Sequence, residues 1–282
     1  MKFNLDAFES GRDEFLNDDH KAQFAANPQY DEVYIRWKKL FAKADAEDLG
    51  AIRSVGRVQI WCNITRAAIN SVVQISGIKE LHLLRIKGSG RLADFREAES
   101  LEEFSCLWGV SSSDLFEVAQ LPTLRKLTAH FAHVTKESLA TLLSNPSLTE
   151  IDFEDSNFTD DFAHMVSQSK IITNLELGGT DVTKEGLRAI CSMSQLRWLD
   201  IWSTKIAEHD LDVLTQLPNL EYLSIGGHDE QTTFTAARTL PLLYRMPALK
   251  AVWLDGLHVT RREWDELNDR FEKVWVSSVL AV

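Results

Sequence analysis

Residues 172–201 read ITNLELGGTDVTKEGLRAICSMSQLRWLDI and contain one short pattern twice. The pattern is an apolar residue, two variable residues, a second apolar residue, one variable residue and a third apolar residue. The first copy begins at Ile172 and the second at Leu196, 24 residues later. The alternation at the end of each copy predicts a short β-strand with one buried face. The apolar residues that follow have helical spacing, which predicts a return path through a helix or helical turn.

The same pattern recurs along most of the chain. Ten copies occur, with 22 to 29 residues between successive starts, at Val55, Ile78, Leu101, Leu124, Leu148, Ile172, Leu196, Leu220, Leu249 and Phe271. A unit of this size cannot bury its apolar positions alone, whereas stacked units bury them in one continuous core. Prolines stand two residues before four of the copies, where they mark the exit from a helix into the next strand.

The pattern resembles the LxxLxL signature of the leucine-rich-repeat superfamily, in particular its 24-residue bacterial and ribonuclease-inhibitor-like members. Residues 175–187 resemble the strand–turn–helix consensus of that family, and the resemblance covers roughly residues 53–277. It implies an α/β fold, a curved solenoid with a parallel sheet on its concave side. It implies little about chemistry, because function lies in sites placed on a fold. One departure is the ninth position, where the family's asparagine is replaced by Ala132, Ser156, Thr180 and Thr204.

Residues 1–50 lie outside the ten copies. Apolar residues recur at helical spacing within Asp31–Ala46, at Val33, Trp37, Leu40, Phe41 and Ala44. This stripe predicts an N-terminal helical cap over residues 1–50, followed by a solenoid of about ten units over residues 51–282 whose last unit serves as C-terminal cap. A recruitment helix, as in an F-box-like adaptor, is the alternative for this segment. The eighth unit has 29 residues, and its surplus near residues 228–235 predicts a loop at one edge.

Composition and motifs narrow the class of function. The net charge of −12 disfavours nucleic acid, which needs a clustered positive surface. Three scattered cysteines indicate a reducing compartment, and no apolar run suits a signal peptide or a bilayer span, so we expect a cytoplasmic protein. No phosphate-binding loop, dinucleotide fingerprint, nucleophile elbow or zinc spacing occurs. These observations predict a protein that is not an enzyme and has no cofactor or metal.

Side chains that alternate with the buried ones are predicted to face the concave surface. Six of the eight tryptophans fall on that face, where the repeat core does not require them. Exposed aromatic clusters are typical of interfaces, and acidic residues accompany them here. Aspartate at the fifth position is common in the family, which weakens the case for Asp152 and Asp200. The candidate binding residues are Trp198, Trp202, Tyr222, Trp253, Asp200, Glu176, Asp152, Glu154, Asp155, His130, Phe131 and Trp108.

These residues favour a protein–protein interaction module. Its partner would carry arginine or lysine side chains that stack on the tryptophans and pair with the carboxylates. The alternative is an inhibitor or immunity-type protein that neutralises a basic enzyme such as a nuclease toxin, which the resemblance to ribonuclease inhibitor and the charge of −12 suggest. A carbohydrate ligand on the tryptophans and a homo-oligomer interface stay open. An enzyme with its catalytic part in residues 1–50 is disfavoured, because that segment is too short for an active-site domain.

Overall fold

The computed structural model describes residues 1–8, 16–227 and 234–280. The chain divides into two compact units, Met1–Leu148 and Thr149–Val282. Both are built from one repeating element, a parallel strand followed by a helical return path. The α/β repeat fold predicted from the sequence is therefore confirmed.

The N-terminal unit contains a parallel sheet whose strands follow chain order. Its strands are β1 (Lys2–Asp6), β2 (Gln29–Arg36), β3 (Ser54–Thr65), β4 (Glu80–Lys87), β5 (Glu103–Trp108) and β6 (Lys126–Ala129). The return paths are α1 (Asp18–Ala26), α2 (Lys43–Asp48), α3 (Arg66–Val72), a 3₁₀ segment (Ala93–Glu97), α4 (Ser112–Val118) and α5 (Lys136–Ser144).

The C-terminal unit repeats the arrangement. Its strands are β7 (Glu150–Asp152), β8 (Asn174–Glu176), β9 (Trp198–Asp200), β10 (Tyr222–Gly226), β11 (Ala251–Thr260) and β12 (Lys273–Leu280). The return paths are α6 (Asp160–Val166), α7 (Lys184–Ile190), a 3₁₀ segment (Glu208–Gln216), α8 (Ala236–Tyr244) and α9 (Arg261–Arg270). Of the predicted insertion at 228–235, residues 228–233 lie outside the described part of the chain. No helix in the described ranges is long and apolar enough to cross a bilayer.

The strand register matches the one that the repeat pattern predicts. Leu175 pairs with Ile151 on one side and with Leu199 on the other. The same equivalent positions pair between β3 and β4 and between β10 and β11. All ten leading residues of the pattern are buried. A shift of one residue would turn these side chains to the opposite face, so burial of the repeat core fixes the register.

The helix predicted over Asp31–Ala46 is wrong in most of its length. Residues 29–36 form β2, and within the predicted segment only residues 43–46, the start of α2, are helical. Val33, Ile35 and Trp37 are all buried, so the alternation at period two outweighs the helical stripe that Val33 and Trp37 also fit. β2 pairs with β1 and β3, which satisfies backbone groups at an edge that β3 would otherwise expose. The capping role of residues 1–50 stays a prediction.

In two repeats, a threonine hydroxyl takes the place of the family's asparagine in the turn after the strand. The hydroxyl of Thr180 donates to the carbonyl of Leu177 at 2.6 Å, and that of Thr204 donates to the carbonyl of Ile201 at 2.8 Å. At Thr180 and Thr204 the ninth-position hydroxyl thus ties the turn to the end of the strand. The residue before it is left-handed, with positive φ at Phe131, Asp155, Gly179 and Ser203.

Candidate binding surface on the sheet

Two of the predicted aromatic residues stack on neighbouring strands of the C-terminal unit. Trp198 begins β9, and its register partner on β10 is Tyr222. The two rings are nearly parallel, at 11°, with centroids 3.4 Å apart. Among the described residues, the buried Nε1 of Trp198 has no hydrogen-bond partner. Burial and the nearby Asp200 raise the pKa of the Tyr222 hydroxyl well above its ordinary value. The stack is therefore a neutral, largely apolar surface.

Trp202 lies directly after β9 and packs on Gly178, a glycine of the preceding repeat. A Cβ atom at Gly178 would lie 2.2 Å from Nε1 of Trp202, so any other residue would displace the indole. The same Nε1 donates a long hydrogen bond of 3.4 Å to a carboxylate oxygen of Glu154. Gly178 is not among the binding residues predicted from the sequence. The sequence feature that could have identified it is its repeat position, which is the position that Trp202 occupies in the next repeat.

Asp200 ends β9 and is 93% buried, with 7% of its surface exposed. Its carboxylate accepts hydrogen bonds from the backbone N–H of Trp202, at 3.0 Å, and from the Ser224 hydroxyl. Burial, together with the nearby carboxylates of Glu154 and Asp152, raises the pKa of Asp200 to about 7. Asp200 is therefore a buried acid that gains or loses its proton near neutral pH.

Asp152 occupies the same repeat position as Asp200. Its carboxylate accepts a hydrogen bond from the backbone N–H of Glu154 at 3.1 Å, which matches the bond that Asp200 accepts from Trp202. The two fifth-position aspartates thus fix the ends of their strands, which gives a structural reason for an aspartate in both repeats. Asp200 also lines a pocket.

The pocket has a volume of about 260 Å³ and lies across β9, β10 and β11. The central strand contributes the small residues Ser224 and Gly226, whereas large side chains stand on both neighbouring strands. Gly226 has a φ of 112°, and a Cβ there would lie 1.8 Å from the carbonyl oxygen of Asp255, so the position requires glycine. The side chains that line the pocket are Asp200, Trp202, Tyr222, Ser224, Trp253 and Asp255.

Trp253 forms the exposed wall of the pocket. It is 46% exposed and stacks on its register partner Trp275, with ring centroids 5.4 Å apart at 16°. Stacking fixes the orientation of the indole while leaving much of its surface accessible. The wall is therefore ordered before any ligand binds.

Acidic side chains adjoin the pocket on the β7 and β8 side. One oxygen of each of Glu154, Glu176 and Asp200 lies within 4.8 Å of the others. Asp155 follows Glu154 in an exposed, left-handed turn position with a φ of 54°. Carboxylates this close repel one another, and a cation bound among them would relieve the repulsion.

Three predicted residues, Trp108, His130 and Phe131, lie in the N-terminal unit. Trp108 and Phe131 stack with centroids 5.6 Å apart at 14°, and the guanidinium of Arg85 lies 5.1 Å from the Trp108 ring. Phe131 is 49% exposed and has a φ of 52°, a conformation that bulky side chains rarely adopt. His130 precedes it and is half-buried. The other nine predicted residues belong to the C-terminal unit.

A second cluster of potential metal ligands occurs in the N-terminal unit, at Glu80, His82 and Glu103. Arg57 pairs with Glu80 at 2.5 Å, and Lys126 pairs with Glu103 at 3.7 Å. The hydrogen bond from Arg57 holds the pKa of Glu80 below its usual range. Cations of the protein already neutralise these carboxylates, so the cluster is an ion-pair network.

Comparison with known proteins identifies the family to which the repeats belong. The model of a leucine-rich repeat region matches residues 62–253, more than half of the chain. The chain belongs to this family. Leucine-rich-repeat proteins are generally binding modules and not enzymes, and their fold suggests protein–protein interaction. A search of curated proteins finds no match.

Solved leucine-rich-repeat structures resemble the chain in fold. An internalin (inlF) from Listeria monocytogenes is 14% identical, with a TM-score of 0.50 over 93% of this chain and 84% of the internalin chain. TLR13, in a complex with ssRNA13, is 16% identical, with a TM-score of 0.53 over 93% of this chain. The match covers 37% of the TLR13 chain, so this chain spans little more than a third of its length. At these identities the likeness shows the fold alone.

Proposed function

We propose that this protein is a protein–protein interaction module whose partner binds an aromatic–acidic patch on the sheet of the C-terminal unit. The observation that carries the proposal is the ordered aromatic wall around a pocket with a buried carboxylate. The repeat core does not need the aromatic side chains, since its apolar positions lie on the other face of the strands. The patch consists of Trp198, Trp202, Tyr222, Trp253, Asp200, Glu176, Asp152, Glu154 and Asp155.

The patch has the properties of a binding hot spot. Large aromatic rings supply much contact area, and they dominate the energetics of interfaces when they surround a desolvated centre. The stacks Trp198–Tyr222 and Trp253–Trp275 are already formed, so binding costs little side-chain entropy. The neighbouring carboxylates favour a partner with a basic or mixed surface and disfavour nucleic acid.

Cysteine chemistry supports a cytoplasmic, non-enzymatic module. Cys62, Cys106 and Cys191 are buried, and none of them is in a disulfide. Burial raises the pKa of Cys106 and of Cys191 to about 12, so both thiols stay protonated and unreactive at neutral pH. Buried thiols that form no disulfide fit a reducing compartment.

A second candidate is an inhibitor or immunity-type protein that neutralises a basic enzyme such as a nuclease toxin. The net charge of −12 and the acidic side of the patch favour it. Ionic strength separates the two. A complex held mainly by charge weakens steeply between about 50 and 300 mM salt, whereas one held mainly by aromatic burial changes little.

Affinity capture from the source cells tests the proposed surface. We expect the double variant Trp198→Ala/Trp202→Ala to retain less than about a tenth of the partner that the wild type captures, because it removes two central aromatic anchors. Circular dichroism and thermal unfolding establish that the variant is folded. The matched control is Phe116→Ala, which removes a 40% exposed aromatic residue from α4 and should capture as much as the wild type. Equal capture by the double variant and the wild type would place the partner elsewhere.

A further inference from the structure

We infer that the pocket between β9 and β11 binds one arginine side chain of the partner. The guanidinium lies between Asp200 and Asp255 and stacks against the surrounding aromatic rings. This inference rests on the proposed function, because it names the group by which the partner enters the patch. It commits the pocket to a guanidinium, not to an apolar side chain or a sugar.

The shape of the pocket selects a single flat side chain. Its volume of about 260 Å³ equals that of roughly nine water molecules, enough for one long side chain and too little for a folded segment. Ser224 forms its floor, and Trp202, Tyr222 and Trp253 form its walls. A planar guanidinium can lie against the face of such a ring, where the ring's quadrupole attracts the positive charge.

Two carboxylates, on opposite sides of the pocket, can each accept hydrogen bonds from one cationic side chain. Asp200 stands on β9, and Asp255 stands in the pairing row of Gly226 on β11. The bonds that Asp200 accepts from Trp202 and Ser224 come from uncharged donors. Asp255 likewise accepts from the backbone N–H of Gly256, at 3.1 Å, and from the Ser277 hydroxyl, at 3.2 Å. A carboxylate has about four acceptor positions, so each retains capacity for a further donor.

Arginine satisfies this arrangement better than lysine. Its guanidinium carries five N–H donors in a rigid plane, which can reach carboxylates on opposite sides while its face rests on an aromatic ring. The ammonium of lysine is a compact, strongly hydrated charge with three donors, and losing its water in a pocket with apolar walls costs more. The pocket should therefore discriminate between the two cations.

Arginine binding should be coupled to release of a proton. Burial keeps Asp200 protonated up to about pH 7, and the groups that face it are Glu154, Glu176, Asp152, Tyr222 and Asp255. The carboxylates among them favour the protonated form of Asp200, and a guanidinium favours the ionised form. Binding should consequently tighten as the pH rises from 6 to 8.

The test uses the full chain and N-acetyl-arginine amide, followed through the indole N–H signals of the tryptophans by NMR. N-acetyl-lysine amide and the neutral isostere N-acetyl-citrulline amide are the comparison ligands. We expect saturable shifts with a Kd on the order of 1–10 mM for the arginine probe, weaker binding of lysine by about threefold or more, and none of citrulline. Affinity should rise several-fold between pH 6 and pH 8.

Variants locate the site. Asp200→Asn and Asp255→Asn should each weaken arginine binding about tenfold or more, and Asp200→Asn should abolish the pH dependence. The control Asp212→Asn changes an exposed carboxylate in the 3₁₀ segment Glu208–Gln216 and should bind like the wild type.

Equal affinity for citrulline, retention of arginine binding in both pocket variants, or no saturable shift up to about 50 mM would each overturn the inference. Failure here with capture still lost in Trp198→Ala/Trp202→Ala would leave the proposed function standing. Capture retained in that double variant overturns the proposed function itself, so the two failures are distinguishable.

Discussion

Replacing Asp114 with alanine is expected to lower the free energy of unfolding by about 3–5 kcal/mol, because it leaves a buried guanidinium without its counter-charge. Asp114 has no exposed surface, and only a tenth of the Arg66 side chain is exposed. The two form a bidentate pair, with Nε–Oδ1 at 3.0 Å and Nη2–Oδ2 at 2.6 Å. Burial makes the pair costly to break from one side.

The contacts of Arg66 add to the effect, since they connect three consecutive repeats. The guanidinium, at the start of α3, also donates to the carbonyl of Gly88 at 2.5 Å and to that of Gly109 at 3.1 Å. Asp114 additionally accepts from the backbone N–H of Ser111, which caps α4. Loss of the carboxylate therefore weakens a helix cap together with the ion pair.

Urea unfolding followed by circular dichroism measures this effect. The control is Arg188→Ala, which breaks an exposed ion pair with Glu185 and should change stability by no more than about 0.5 kcal/mol. A double replacement, Arg66→Met with Asp114→Leu, should recover part of the loss, because it leaves no charge buried alone. A loss below about 1 kcal/mol in Asp114→Ala would show that the pair is not a structural clamp.

Asp200→Asn is expected to stabilise the protein at alkaline pH and to have little effect at acidic pH. The pKa of Asp200 is raised from 3.8 to about 7, so the folded protein binds more protons than the unfolded chain between these values. Stability therefore falls as the pH rises through that window. A shift of about three units corresponds to a cost on the order of 4 kcal/mol, fully present above pH 7. Asparagine keeps the hydrogen-bond geometry and cannot ionise.

The difference in unfolding free energy between Asp200→Asn and the wild type, measured by urea titration from pH 4 to pH 8.5, reports this cost. It should be near zero at pH 4 and increase towards about 4 kcal/mol at pH 8.5. Taking the difference largely removes the titration of other groups, although Glu154, Glu176 and Asp152 act on Asp200 and shape the curve. A difference that does not vary with pH would show that Asp200 is ionised throughout.

Repeat spacing was sufficient to predict the strands and their register, because burial of one face leaves a strand a single acceptable pairing. It failed where the pattern is degenerate. Tyr30, Val33 and Ile35 are a further copy of it, but the same segment also fits a helical stripe. Pairing with β1 and β3 decided between the two, and pairing over such sequence distances cannot be read from a local window.

The aromatic part of the candidate surface was predictable for a simple reason. Residues that alternate with buried ones must point away from the core, so the tryptophans could be assigned to that face from their positions alone. The pocket could not be predicted, because it exists only where the small residues Ser224 and Gly226 lie between larger neighbours. Gly178 was missed for a similar reason, because its importance comes from Trp202 of the next repeat, which packs against it. The pair Arg66–Asp114 joins residues 48 positions apart that no motif connects.

Site-specific photo-crosslinking tests most directly whether the partner binds the aromatic–acidic patch. p-Benzoylphenylalanine would replace Trp253, which is 46% exposed beside the pocket, and in a second variant Phe116, which is 40% exposed on α4. Both changes substitute one large exposed aromatic for another. We predict that irradiation joins the captured partner to position 253 and not to position 116. A crosslink at position 116 with none at position 253 would contradict the account.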